Sequence, residues 1–125
     1  MKQISTSNAP QPGGHYSQAI VCGGVVYVAG QLASDPQSPD QEPGGAGEQT
    51  RRALRNVSAI LEAAGSRLDH VLQMTVYVTD IGLWEDVNAA YAEVMGDHKP
   101  ARAIIPVGEL HGPYLVEIQA TAALS

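Results

Sequence analysis

Residues 72–79 read Leu-Gln-Met-Thr-Val-Tyr-Val-Thr. Leu72, Met74, Val76 and Val78 alternate with Gln73, Thr75, Tyr77 and Thr79, a period of two that predicts a strand with one oily and one amphipathic face. Such a strand needs a cover on its oily side, and the chain supplies two amphipathic helical patterns. Over residues 48–64, Leu54, Val57, Ile60, Leu61 and Ala64 recur at helical spacing, Arg51, Arg52 and Arg55 fall outside that stripe on a solvated face or an oligomer rim, and Gly65 follows as a helix terminator. After Asp80, a residue suited to capping, Trp84, Val87, Tyr91 and Val94 predict a second buried stripe, ended by Gly96.

Further strands flank these elements. Residues 1–15, with Pro10, Pro12, Gly13 and Gly14, read as a loop. Tyr16–Val21 reads as a short strand, Gly23-Gly24 as a two-residue hairpin turn, and 25–30 as a nearly all-apolar strand suited to burial on both faces. Residues 33–47 form a long loop rich in Pro and Gly. Ala101–Val107 and Leu115–Ala123 give the closing strands, with Pro106 marking an edge or a bulge. The order ββ-α-β-α-ββ predicts an α+β class: one mixed sheet in a single domain over residues 1–125, with both helices on one face. The other face would show Gln73, Thr75 and Tyr77 beside Glu117, Gln119 and Thr121. It is too mixed for a core and too weakly charged for plain solvent surface, so packing against further copies in a closed ring is one solution.

Charge and composition exclude several functions. Seven Lys plus Arg against thirteen Asp plus Glu leave a net charge of −6 with no basic block, which disfavours a phosphate grip on nucleic acid and a membrane surface. No apolar run approaches bilayer length, the first residues lack a hydrophobic signal core, and a single Cys22 permits no internal disulfide, so the expectation is a cytoplasmic protein. His15, His70, His98 and His111 lack metal-ligand spacing, no Gly-x-Ser-x-Gly elbow is present, and Gly44-Gly45-Ala46-Gly47 lacks the ending of a phosphate loop.

The segments Gly14-His15-Tyr16-Ser17-Gln18-Ala19, Val28-Ala29-Gly30-Gln31, Pro100-Ala101-Arg102-Ala103 and Leu115-Val116-Glu117-Ile118-Gln119-Ala120 remain. In this order and spacing, over about residues 8–124, the chain resembles the RidA/YjgF family of reactive-intermediate deaminases. The resemblance implies a chorismate-mutase-like fold, a barrel-like homotrimer, and small imino or keto acids held in clefts between subunits. It implies hydrolysis of 2-enamino or 2-imino acids to 2-keto acids and ammonia, with no cofactor. Arg102 matches the arginine that holds the substrate carboxylate, and Glu117 the glutamate that positions the hydrolytic water. Tyr16, supplied by a neighbouring subunit, together with Gly30 and Asn88, matches cleft-lining positions. Two positions depart: Ala29 stands where many members have Ser, and Ile104 where many have Cys. The first removes a hydroxyl; the second makes the wall bulkier, pointing to longer substrate side chains. Taken alone, Arg102 would read as an ion-pair partner and Glu117 as a surface strand residue. A non-catalytic ligand-binding or chaperone-like trimer, or an enzyme for an imine of a specialised metabolite, stays open as an alternative.

Overall fold

The computed structural model describes residues 1–125. Six strands and two helices follow in the order β1 (Lys2–Ile4), β2 (Ala19–Cys22), β3 (Val25–Gln31), α1 (Ala46–Ala63), β4 (Val71–Val78), α2 (Trp84–Met95), β5 (Ala101–Pro106) and β6 (Val116–Ala123). The strands form one mixed sheet in the order β1-β2-β3-β6-β4-β5, in which only β4 and β5 run parallel. The class is α+β, as the alternation and the two amphipathic stripes predict.

Both helices cover one face. Leu54, Val57, Ile60 and Leu61 of α1 are fully buried against Met74 and Val76 of β4 and Val116 and Ile118 of β6. Each such side chain contributes roughly 1.5–3 kcal/mol by leaving water. The Gly23-Gly24 turn has positive φ at both residues (59° and 78°), the geometry that a tight hairpin demands and glycine supplies without strain. Gly65, at φ 87°, ends α1 in the same way.

Several expectations change. The strand expected over Tyr16–Val21 begins only at Ala19 and runs to Cys22. Residues 2–4 pair with β2 as an added edge strand, too short to carry a period. Leu72 is 52% exposed and Val71 is buried instead, because β4 bulges between Val71 and Gln73 and so shifts the phase of its first residues. The buried stripe of α2 runs through Val87, Ala90, Tyr91 and Met95, while Trp84 is 39% exposed and Val94 only half-buried. In β3, Val26 and Val28 face the helices but Tyr27 is exposed, so within one chain the strand is covered on one side only.

The loop before α1 is held by three polar side chains of the helix. Arg52, read from sequence as part of a solvated face or an oligomer rim, is buried and donates to the carbonyls of Glu42 (2.6 Å) and Pro43 (3.0 Å) and to Glu48 (3.0 Å). Asn56 is buried too, and its amide donates to the carbonyls of Leu32 (3.0 Å) and Ser34 (2.7 Å). Gln49 donates to the Gly44 carbonyl and accepts from the Leu115 amide at 2.7 Å, tying the start of α1 to the start of β6.

Candidate functional site

Glu117 lies between Val116 and Ile118, both fully buried on the helix side, so its own side chain projects from the open face of the sheet. It stands opposite Tyr77 of β4. Its other neighbour is the irregular end of β3, where the register with β6 shifts between Val28 and Gln31. Inside that irregularity the Ala29 amide donates to the Gln18 carbonyl (2.9 Å) and the Gln31 side-chain amide donates to the Ala29 carbonyl (3.1 Å). The twist brings Gly30 directly beneath the Glu117 carboxylate: a Cβ built on Gly30 would lie 2.8 Å from Oε2. Gly30 therefore acts by having no side chain.

Tyr16, Gly30 and Glu117 line one cleft of about 400 Å³, with Gly14, Ser34 and His111. Its outer wall is the segment before β2, and Gln18 fixes that wall. The buried Gln18 side chain accepts from the Thr6 amide (2.7 Å) and donates to the carbonyls of Thr6, Ala9 and Pro10. Tyr16 itself is 54% exposed, with its hydroxyl accepting from the Gly13 amide at 3.3 Å.

Arg102 occupies different ground. It pairs in register with Met74, a core residue, and its side chain reaches α2 on the helix side of the sheet. Nη1 donates to Oδ1 of Asn88 at 2.9 Å. The guanidinium carbon lies 4.7 Å from the centre of the Tyr91 ring and 5.8 Å from that of Trp84. Arg102, Asn88, Tyr91, His98 and Lys99 line a second cleft of about 390 Å³. No acidic residue lines it, and Arg102 forms no ion pair, so the cleft suits an anion. Its floor is braced by His98, whose Nε2 lies 2.7 Å from the Val71 carbonyl at the bulge of β4. Burial raises the Tyr91 phenol above its usual value of 10.0, against the opposing pull of the Arg102 charge. Ile104 shares the helix side with Arg102 but packs against the core and lines neither cleft, so within one chain it is not the cleft wall expected from sequence.

The six residues picked out from sequence thus fall into two groups. Tyr16, Gly30 and Glu117 meet on the open face; Arg102 and Asn88 meet on the helix face, where Ile104 packs into the core instead. Arg102 and Glu117 are not on adjoining strands, because β4 runs between β5 and β6. Nor is Tyr16 set apart from Glu117: both line the same cleft of one chain. The rings of Tyr91 and Trp84 beside Arg102 were hidden in the sequence by a helical stripe that reads as core. Gln18 was visible only as part of a quoted segment.

Comparisons with known proteins agree with this architecture. The family model described as Endoribonuclease L-PSP matches residues 6–124. A RutC family protein of Pyrococcus horikoshii is 44% identical over 119 residues, covering 95% of this chain and 94% of its own. A rat protein named 2-iminobutanoate/2-iminopropanoate deaminase is 40% identical, covering 97% of this chain and 88% of its own. The crystal structure of Escherichia coli TdcF with bound serine superposes with a TM-score of 0.93 at 33% identity, over 100% of both chains. Sequence and structure together establish that the chain belongs to the RidA/YjgF/RutC family.

Proposed function

We propose that this protein hydrolyses 2-enamino and 2-imino acids to 2-keto acids and ammonia, in clefts that form between copies of the chain in a homotrimer. One observation carries the reading: a held guanidinium without a base lies on one face of the sheet, and a carboxylate without a cation on the other. Each half lacks what the other offers, and a rigid six-stranded sheet separates them. A neighbouring copy that lays its Tyr16–Gly30–Glu117 cleft against the Arg102 cleft completes the set.

The chemistry follows from the residue types. Arg102 takes the substrate carboxylate through two parallel hydrogen bonds, worth about 1.5–3 kcal/mol in a charge-assisted pair. An enamine first takes a proton at its β-carbon to become the iminium. Water then adds to C2; Glu117 accepts the water proton as the C–O bond forms, and the C=N electrons move to nitrogen. Glu117 returns that proton to the amine; the C–N bond breaks, ammonia leaves, and the keto group closes as the hydroxyl proton passes to Glu117 and on to solvent, replacing the solvent proton taken up at the β-carbon. General acid–base help of this kind contributes roughly 10²–10⁴-fold. The deaminase name of the rat relative and the serine bound to TdcF support a small amino-acid-like carboxylate as ligand. The net charge of −6 weighs against the ribonuclease that the family description names.

The test is pyruvate release from freshly generated 2-aminoacrylate. Arg102→Ala and Glu117→Gln are each expected to abolish saturable hydrolysis. Subunits of the two variants, mixed and exchanged, are expected to regain about a quarter of wild-type activity, because one interface in four then pairs an intact Arg102 with an intact Glu117. Wild-type release no faster than buffer, with tight keto-acid binding, would mark a binding protein instead. A mixture as inactive as its parents would refute the shared cleft.

A further inference from the structure

Arg102 is the contribution of the edge strand β5 to the anion cleft, and three residues of α2 surround its head group. Asn88 takes one N–H at 2.9 Å. Trp84, one turn earlier, offers a ring 5.8 Å away that is 39% exposed and lies outside the cleft lining. Tyr91, one turn later, is different in kind: its ring centre lies closer, at 4.7 Å, and the residue is only 6% exposed. It belongs to the packed core through Val87 and Met95, so it moves only if α2 moves.

An arginine side chain is long, and holding it in one geometry forfeits about 2 kcal/mol of rotamer freedom. A fork that wanders would bind a carboxylate poorly. We infer that Tyr91 is the positioning residue of the anion cleft: its ring face is the platform that holds the Arg102 guanidinium, while Asn88 sets the rotation of the fork. The ring, not the hydroxyl, faces the guanidinium within one chain. The hydroxyl is buried and has no hydrogen-bond partner, so the ring accounts for the residue's place beside Arg102 and the oxygen does not. The platform acts on the ground state and the transition state alike, since the carboxylate stays bound throughout the reaction. Its loss therefore belongs in KM and leaves kcat in place. The kinetic half of this inference rests on the deaminase reading; the positional half does not.

The experiment uses the full chain with Tyr91→Phe and Tyr91→Leu. The first readout is the Arg102 Nε–H resonance by NMR, assigned through its disappearance in Arg102→Lys; a ring face beside it shifts it by ring current. The second is KM and kcat for 2-aminoacrylate. Tyr91→Phe is expected to keep the shift and to hold KM within about twofold of wild type. Tyr91→Leu is expected to lose the shift and to raise KM about tenfold, with kcat within about threefold, the size of one partly desolvated cation–π contact. Tyr91→Met fills the same space without a ring and replaces the Leu variant if that one fails to fold. Wild-type shift and KM in both ringless variants overturn the proposal, as does a tenfold rise in KM with Tyr91→Phe. A lost shift in the ringless variants, alongside a wild-type protein that turns nothing over, keeps the platform and removes the deaminase.

Discussion

Gly30→Ala separates what the site needs from what the fold needs. Gly30 has no positive φ, so its backbone suits alanine. Replacing a glycine at a compatible position contributes about 0.4–1 kcal/mol by restricting the unfolded chain. The new Cβ would stand 2.8 Å from Oε2 of Glu117, 3.0 Å from Cδ and 3.2 Å from Cγ. Comfortable contact begins near about 3.5 Å, so the carboxyl group must retreat by roughly 0.5 Å or leave its rotamer. Pushing a side chain off its preferred torsion costs about 0.5–1.5 kcal/mol. These terms nearly cancel, and the urea midpoint should stay within about 1 kcal/mol of wild type.

Activity answers to a different scale. A displacement of about 1 Å at a reacting group costs on the order of 100-fold, and a retreat of half that or a full rotamer change brackets the loss at about 10–100-fold. The loss falls on kcat, because the anion cleft on the far side of the sheet is untouched. The assay pairs urea unfolding with pyruvate release from 2-aminoacrylate. Gly108→Ala is the control, since a Cβ there meets nothing within 4 Å and should change neither measurement. Wild-type kcat in Gly30→Ala would refute the reasoning, as the carboxylate above Gly30 would then have no part in the rate.

Asn56→Ala removes two donors from the carbonyls of Leu32 and Ser34, and a loss of about 2–3 kcal/mol is expected in denaturant unfolding; a change under about 0.5 kcal/mol would mean the loop is held elsewhere. Tyr91→Phe removes a buried hydroxyl without a partner and should raise stability by about 1 kcal/mol. The raised phenol value means its contribution is full below pH 10 and is lost as pH climbs through the folded value, so the Phe variant should also flatten the alkaline limb of the melting profile. Glu48 is held below its usual 4.5 chiefly by its hydrogen bond to Arg51, with Arg52 assisting. Its stabilisation is present above the unfolded value and lost as pH falls through the lower folded one; the melting gap between wild type and Glu48→Gln should therefore narrow below about pH 4.5, and a constant gap down to pH 3 would contradict it.

Local pattern carried the elements well, because hydrophobic period and glycine chemistry are local. Val116, Ile118, Ala120 and Ala122 are buried as their alternation predicts, and the turn glycines adopt the positive φ their pairs imply. Phase was harder. Val71 and Leu72 are both apolar at the start of β4, and only the bulge, braced from outside by His98, decides which one enters the core. Arg52 shows the same gap: a charge in a helix reads as surface until two loop carbonyls arrive to meet it. The candidate residues were singled out through the family resemblance, but their partition between two clefts was not legible. It depends on strand order, and nothing in the residues near 117 announces that β6 inserts between β3 and β4.

That insertion has a mechanical consequence. A central strand offers Glu117 a rigid floor on both sides, here Tyr77 on β4 and the glycine irregularity of β3. An edge strand offers its cation access to the helix layer and leaves one flank free for another chain. Placing the carboxylate in the middle and the guanidinium at the rim, on opposite faces, keeps the two charges from pairing within one chain. Had Arg102 and Glu117 shared a face on neighbouring strands, they would form an ion pair, and a substrate carboxylate would have to break it before binding. The separation keeps the guanidinium free of any acidic partner. It also ties any reaction that needs both groups to the meeting of two copies, so site density and assembly become one quantity.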